Sequence, residues 1–198
     1  MKYIILPLIS YLIGSFSWGV IITKYYKKND IRGKDYPGGS GVSRQFGFKF
    51  GLLVGFLDAL KGLSIFLIFY YFGKSNLILI LSYIALILGN NYPLYFGFNG
   101  GQGVAATIGF FFPPFPFFVL LSISIGIFFI FFYNFFKLNI FIKFMGAVPF
   151  GTIFGLLTIF ILLIRKFPFY PYPLLVIIAS SLLLFRGLTL ILSNKKQQ

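Results

Sequence analysis

Residues 75–136 read SNLILILSYIALILGNNYPLYFGFNGGQGVAATIGFFFPPFPFFVLLSISIGIFFIFFYNFF, sixty-two consecutive positions without one charged side chain. A helix needs about 20 apolar residues to cross a bilayer, so this run is too long for one crossing and too apolar for a soluble surface. Three clusters of turn-forming residues divide it: Gly89-Asn90-Asn91-Tyr92-Pro93, Asn99-Gly100-Gly101-Gln102-Gly103 and Pro113-Pro114-Phe115-Pro116. Between them we expect helices at about 76–92, a short one at 104–112, and one at 117–134.

Working outward, Tyr3 to Ile22 is a charge-free run whose basic flank (Lys24, Lys27, Lys28) follows it, so it reads as a first transmembrane helix and not as a cleaved signal peptide. Residues 24–50 are the most polar part of the chain, with seven cations, Asp30, Asp35 and several glycines, and read as a loop. A second helix is expected at about 51–72, and Gly47, Gly51 and Gly55, four apart, suit close helix–helix approach. Further helices are expected at about 145–164 and 172–192. The fold class is therefore all-α: one polytopic membrane domain over 1–198 with about seven transmembrane helices. With the N-terminus outside and the C-terminus inside, twelve of the seventeen cations fall on the inner side, as the positive-inside rule requires. The remaining cations are Lys2, Lys74, Arg165 and Lys166 outside and Lys61 within a helix. Both glycine-rich segments, 33–47 and 97–103, then share the cytoplasmic face.

The whole 198-residue composition agrees: 59% of residues are hydrophobic and 10% charged, and thirty are Phe. It also narrows the chemistry. There is no Cys, His or Glu, and the only acids are Asp30, Asp35 and Asp58. Imidazole acid–base chemistry, thiol or zinc sites and paired-carboxylate hydrolysis are excluded. The net charge of +14 is read as a lipid-facing bias of the loops, with membrane lipids and not nucleic acid as its partner. No cofactor, metal or protein partner is expected.

Gly100-Gly101-Gln102-Gly103 precedes an apolar helix, a pattern in which backbone N–H groups and a helix N-terminus can hold a phosphate without a cation. A plain tight turn fits the same residues. The flanking spacing adds to this. Gly89-Asn90-Asn91-Tyr92-Pro93 followed by Phe98-Asn99-Gly100-Gly101-Gln102-Gly103-Val104-Ala105 resembles the G-H-x-x-P…F-K-G-G-K-G-V-A-T motif of the membrane acyl-phosphate:glycerol-3-phosphate acyltransferases (PlsY). Gly14-Ser15-Phe16-Ser17-Trp18-Gly19 is similar to that family's G-S-I-P-F-G, and Asp30-Ile31-Arg32 to its D-I-R. Gly38 to Arg44 resembles G-A-T-N-V-x-R, and Gly47 through Asp58-Ala59-Leu60-Lys61-Gly62 resembles G-x-x-x-G-L-L…D-x-x-K-G.

The resemblance covers about residues 10–110 and implies acyl transfer from an acyl phosphate to sn-glycerol 3-phosphate, giving lysophosphatidic acid without a separate cofactor. It implies Arg44, Lys61 and Ser40 as the groups that neutralise and orient phosphate. Gly100, Gly101, Gln102, Gly103, Asn90, Asn99, Arg32 and Asp58 are implied as substrate-binding residues. Departures are visible: Asn90 stands at the family's His, Asn99 and Gln102 at two lysines, Ala106 at a Thr, Ser40 at a Thr and Gly41 at an Asn. The family's C-terminal R-H-x-x-N-I-x-R-L is not recognisable around Arg186. Exchanging two phosphate-binding lysines for amides costs roughly 3–6 kcal/mol at 1.5–3 for each charged hydrogen bond. Two other readings of the residues therefore stay open, a non-catalytic paralogue that binds lipid or acyl phosphate and a small anion transporter. Asp58 and Lys61, three apart on one helix face, suit a structural ion pair as well as a site.

Overall fold

The computed structural model describes residues 2–73, 75–140, 146–168 and 171–195. Lys74, Lys143 and Lys196, counted above among the loop and tail cations, lie outside the described residues. The described secondary structure is helical, and the chain divides into two compact units, Met1–Pro114 and Phe115–Gln198. Among the described residues six helices are long and apolar enough to span a bilayer: Tyr3–Tyr26, Phe48–Phe72, Asn76–Phe96, Pro116–Phe135, Ala147–Lys166 and Tyr172–Thr189.

The first unit begins with α1 (Lys2–Gly14), which breaks before α2 (Trp18–Ile21) and a π turn (Ile22–Tyr26). A 3-10 turn at Ile31–Gly33 leads to α3 (Gly39–Phe46), then α4 (Phe48–Phe72) and α5 (Asn76–Asn91). A second 3-10 turn (Leu94–Phe96) precedes α6 (Val104–Phe111). One expectation is corrected here. The stretch 24–50 is not all loop, because α3 lies within it. Glycines at 38, 39 and 41 hide that helix from propensity; tertiary packing forms it, through Val42 and Phe46 against Ile31, Val54, Trp18 and Phe50. The short helix expected at 104–112 is the eight-residue α6, about 12 Å long at 1.5 Å per residue, and stands apart from the six long apolar helices. Gly103, at φ +92°, starts it and Pro113-Pro114 follow its end. Most of α6 is buried in protein, where a half-span at membrane depth is tolerated.

Apolar side chains gain little from meeting each other when lipid is the alternative, so van der Waals contact at close crossings carries helix association. Glycines make those crossings. On α1 and α5, a Cβ on Gly14 would strike the Leu86 carbonyl, and one on Gly89 would strike that of Tyr11. On α4 and α6, Gly62 faces the Ala106 carbonyl and Gly109 the Ala59 carbonyl. Gly51 and Gly55 press α4 against Gly39 of α3, as their spacing suggests. Gly47 instead takes φ +93° and turns the chain between α3 and α4. Tyr83, Phe110 and Phe111 fill the centre of the unit, with ring centroids of Tyr83 and Phe110 4.7 Å apart.

The second unit contains α7 (Pro116–Phe135), a 3-10 turn (Leu138–Ile140), α8 (Ala147–Lys166) and α9 (Tyr172–Lys195). α7 and α8 meet at Gly126, Gly151 and Gly155, beside the parallel rings of Phe129 and Phe154, 3.6 Å apart. Phe117, Phe128, Phe131 and Phe135 face outward, as lipid contact requires.

Candidate active site

The break between α1 and α2 frees carbonyl groups that a continuous helix would have used. Lys61 takes them. Its Nζ donates to the carbonyls of Gly14 (3.2 Å) and Phe16 (2.8 Å) and to Asn90 Oδ1 (2.8 Å), and it lies 2.8 Å from Asp58 Oδ1. Lys61, Asp58 and Asn90 are all buried. An ammonium has three protons, and three oxygens of the fold take them. Lys61 thus ties α4 to the broken end of α1 and to the end of α5, and it has no proton left for a ligand in this arrangement.

The loop after α5 is held by its own backbone and by side chains from several elements. Gly100 N–H donates to Asn91 O and Gly101 N–H to Asn90 O, both at 3.1 Å, so these two amides are committed to the loop and do not point at a ligand. With its amide nitrogen turned toward the neighbouring carbonyls, buried Asn91 donates to Gln102 O at 3.0 Å and Gly101 O at 3.3 Å. Tyr11 donates its hydroxyl to Tyr92 O at 2.9 Å. Arg32 binds Asp30 through both carboxylate oxygens and donates from Nη1 to Phe96 O at 2.6 Å, strapping the 94–97 turn. Hydrogen bonds from Arg32 hold the Asp30 carboxyl below its ordinary range, against the opposing effect of burial.

The two glycine segments meet. A Cβ built on Gly101 would lie 3.4 Å from Asn90 Nδ2 and 3.6 Å from Gly38 Cα, ordinary contact distances, so the junction between the segments leaves room for about a methyl group. Gly38 caps α3, and Val42 N–H is the first to bond back, to Gly38 O. The amides of Gly39, Ser40 and Gly41 therefore have no intrahelical acceptor. Ser40 and Arg44, four apart, share one face of α3. Arg44 Nε and Nη2 donate to the two oxygens of Asp35 at 2.9 and 2.6 Å, and Tyr36 N–H also donates to Asp35. The Arg44 side chain is 50% exposed. The Asp35 hydrogen bonds raise its pKa further, so it is always charged.

Of the residues singled out from the sequence, Gly101 and Asn90 meet at this junction, with the Gly38 cap of Ser40's helix beside it, and Lys61 lies on the Oδ1 side of Asn90. Arg32 is a strap and Asp58 a counter-ion. Gly103 begins α6, Gln102 is half-buried beside it, and Asn99 is exposed. Sequence reasoning missed Asp35 and Asn91. Asp35 was findable as one of only three acids in a loop of cations. Asn91 carried no signal beyond standing beside Asn90.

A cleft opens beside Lys61. It measures about 280 Å³ and is lined by Ile13, Phe16, Trp18, Leu57, Leu60, Lys61 and Ser64.

Comparison with known proteins completes the description. The family model described as Glycerol-3-phosphate acyltransferase matches residues 4–190. The glycerol-3-phosphate acyltransferase of Aquifex aeolicus (strain VF5) is 41% identical over 133 residues, 65% of this chain and 69% of that protein. That of Mycoplasma mobile is 37% identical over 115 residues, 54% of this chain and 48% of its own length. Two crystal structures of PlsY (YgiH), an integral membrane glycerol 3-phosphate acyltransferase, are similar throughout. The lysophosphatidic acid form has 31% identity and a TM-score of 0.74 over 94% of this chain and 88% of that one. The glycerol 3-phosphate form has 28% identity and a TM-score of 0.77 over 100% of this chain and 94% of that one.

Proposed function

This chain belongs to the glycerol-3-phosphate acyltransferase family, and on that premise we propose that it transfers an acyl group from acyl phosphate to the hydroxyl of sn-glycerol 3-phosphate. The observation that carries the reading is the meeting of two glycine segments at Gly38 and Gly101 beside the Arg44 helix, in a chain with no Cys, His or Glu. It is an integral membrane acyltransferase of phospholipid synthesis. We take its active face as cytoplasmic and its membrane as the bacterial inner membrane, on the loop charge. The family match runs from 4 to 190, which supports reading 1–198 as one functional domain.

The chemistry asks little of the protein beyond orientation and charge. The acceptor hydroxyl attacks the carbonyl carbon of the mixed anhydride, the C–O bond to phosphate breaks, and inorganic phosphate leaves. The hydroxyl proton passes to a phosphate oxygen of the substrates, so no side-chain base is needed. Unengaged amides at the start of α3, the Ser40 hydroxyl and the open edge of Arg44 are suited to hold the doubly charged phosphate. The first amides of α6, after Gly103, suit the second phosphate or the developing oxyanion. Gln102 can add a neutral donor there. Lys61 supplies positive field and fixes the α1 break. The apolar cleft beside Lys61 suits the first part of the acyl chain, each buried CH₂ being worth about 0.8 kcal/mol.

The test is purified protein with acyl phosphate and labelled glycerol 3-phosphate. Lysophosphatidate should form, and Arg44→Ala should lower kcat/KM about 100-fold, one to two charged hydrogen bonds' worth. Binding of glycerol 3-phosphate without product would contradict turnover.

A further inference from the structure

Asn90 has a side chain with two chemically opposite ends, and the fold leaves no choice about which way they point. Lys61 Nζ can only donate, so the amide oxygen must face it, and the observed 2.8 Å contact is to Oδ1. Two further contacts hold the residue. Its backbone carbonyl accepts from Gly101 N–H at 3.1 Å, and its backbone nitrogen lies 3.3 Å from where a Cβ on Gly14 would stand. Asn90 is 6% exposed, so the amide cannot rotate freely. Nδ2 is consequently turned to the opposite side, 3.4 Å from the Cβ position of Gly101, where Gly38 closes the other edge. None of the described residues accepts a hydrogen bond from Nδ2.

Both protons of Nδ2 are therefore available to a ligand. We propose that Asn90, with its amide orientation locked by Lys61, presents Nδ2 as a neutral donor to a phosphate oxygen of the substrate at the Gly38–Gly101 junction. Lys61 is the positioning residue of this pair: it acts on substrate through Asn90, and Asp58 balances its charge. The arrangement gives the buried cation a function although its own protons are taken. It rests on the acyltransferase reading for the identity of the anion.

The substitution Asn90→Asp separates the two halves of the amide. A carboxylate still accepts from Lys61, so the anchor is kept, but the donor is lost and a negative charge faces the phosphate. Asn90→His is the conservative partner. A neutral imidazole can accept from Lys61 on one ring nitrogen and donate from the other. The charged groups facing position 90 are Lys61 and Asp58 from α4, while α1 contributes only carbonyls.

Two readouts are taken on full-length protein in detergent or nanodiscs: glycerol 3-phosphate binding by calorimetry, and kcat and KM with acyl phosphate. A thermal-unfolding scan checks each variant. We expect Asn90→Asp to unfold within a few degrees of the parent yet weaken glycerol 3-phosphate binding and kcat/KM by about 10- to 100-fold. Asn90→His should stay within about tenfold of the parent at pH 8 and lose affinity below about pH 6.5, where a second ring proton would face Lys61. Asn90→Asp that binds like the parent overturns the proposal. So does equal loss in Asn90→Asp and Asn90→His at pH 8, which would mark the amide as architectural. A parent that binds glycerol 3-phosphate but never turns over defeats the acyltransferase reading and leaves the binding comparison able to decide this one. A parent that binds none defeats both.

Discussion

The two units solve helix packing in the same way and differ in what they do with broken backbone. In both, glycines let helices cross at backbone contact: Gly62 and Gly109 between α4 and α6, and Gly126, Gly151 and Gly155 between α7 and α8. In the second unit the crossing is dressed with phenylalanine, and the described helices α7, α8 and α9 run unbroken. In the first unit α1 stops at Gly14, α5 is followed by a twelve-residue segment with one 3-10 turn before α6, and a buried ion pair serves the freed carbonyls. Interrupted helices at membrane depth need partners for every freed polar group. The unit that bears that cost also carries the groups that can hold an anion.

The largest effect that would sharpen this contrast is at Gly109. A methyl there meets the Ala59 carbonyl with no room to yield, so Gly109→Ala should cost folding itself, seen as loss of monodisperse protein in detergent. Overpacking costs typically about 1–3 kcal/mol and more when backbone must move. Gly101→Ala comes next. Its methyl finds ordinary contact distances, so the fold should survive while the junction fills, and steady-state kinetics should show about a tenfold fall in kcat/KM. Gly126→Ala, in the second unit, is the control. Its methyl would press on the Gly151 carbonyl at 3.1 Å, lowering the unfolding temperature by a few degrees with kcat/KM unchanged. If Gly126→Ala and Gly101→Ala lose activity equally, the division of labour between the units is wrong.

The smallest expected effect is on pH dependence. Arg32 holds the Asp30 carboxyl below its ordinary value of 3.8. A depressed carboxyl contributes stability that is fully present above that ordinary value and disappears as pH falls through the lowered one. Stability, followed through the melting temperature, should therefore be insensitive to this pair from pH 7 to about 5, then decline below about pH 4 by no more than about 1 kcal/mol for a partly exposed pair. Asp30→Asn should remove that part of the decline.

Much of this was legible in the residues. The charge-free run 75–136 and the turn clusters within it located α5, α6 and α7 to within one or two residues at each end. Hydropathy works here because lipid offers the backbone no alternative to helix. α3 was not legible, since its formation depends on Gly39 seating against Gly51 and Gly55, a tertiary contact that propensity does not contain. The break at Gly14 falls within the Gly14–Gly19 motif, but the charge-free run 3–22 does not show it as a pair of orphaned carbonyls. At the candidate site, motif spacing picked out segments that the fold brings together. The direction of individual hydrogen bonds did not follow from it: Gly100 and Gly101 spend their amides on Asn91 and Asn90, and Lys61 spends its protons on Gly14, Phe16 and Asn90.

The most direct test is a density map of the protein with glycerol 3-phosphate bound, in lipid nanodiscs. The phosphate should sit at the meeting point of Gly38 and Gly101, with an oxygen about 3 Å from Asn90 Nδ2 and others toward the first amides of α3 and the outer edge of Arg44. Phosphate density against the exposed Lys24, Lys27 and Lys28, with that meeting point empty, would contradict the account.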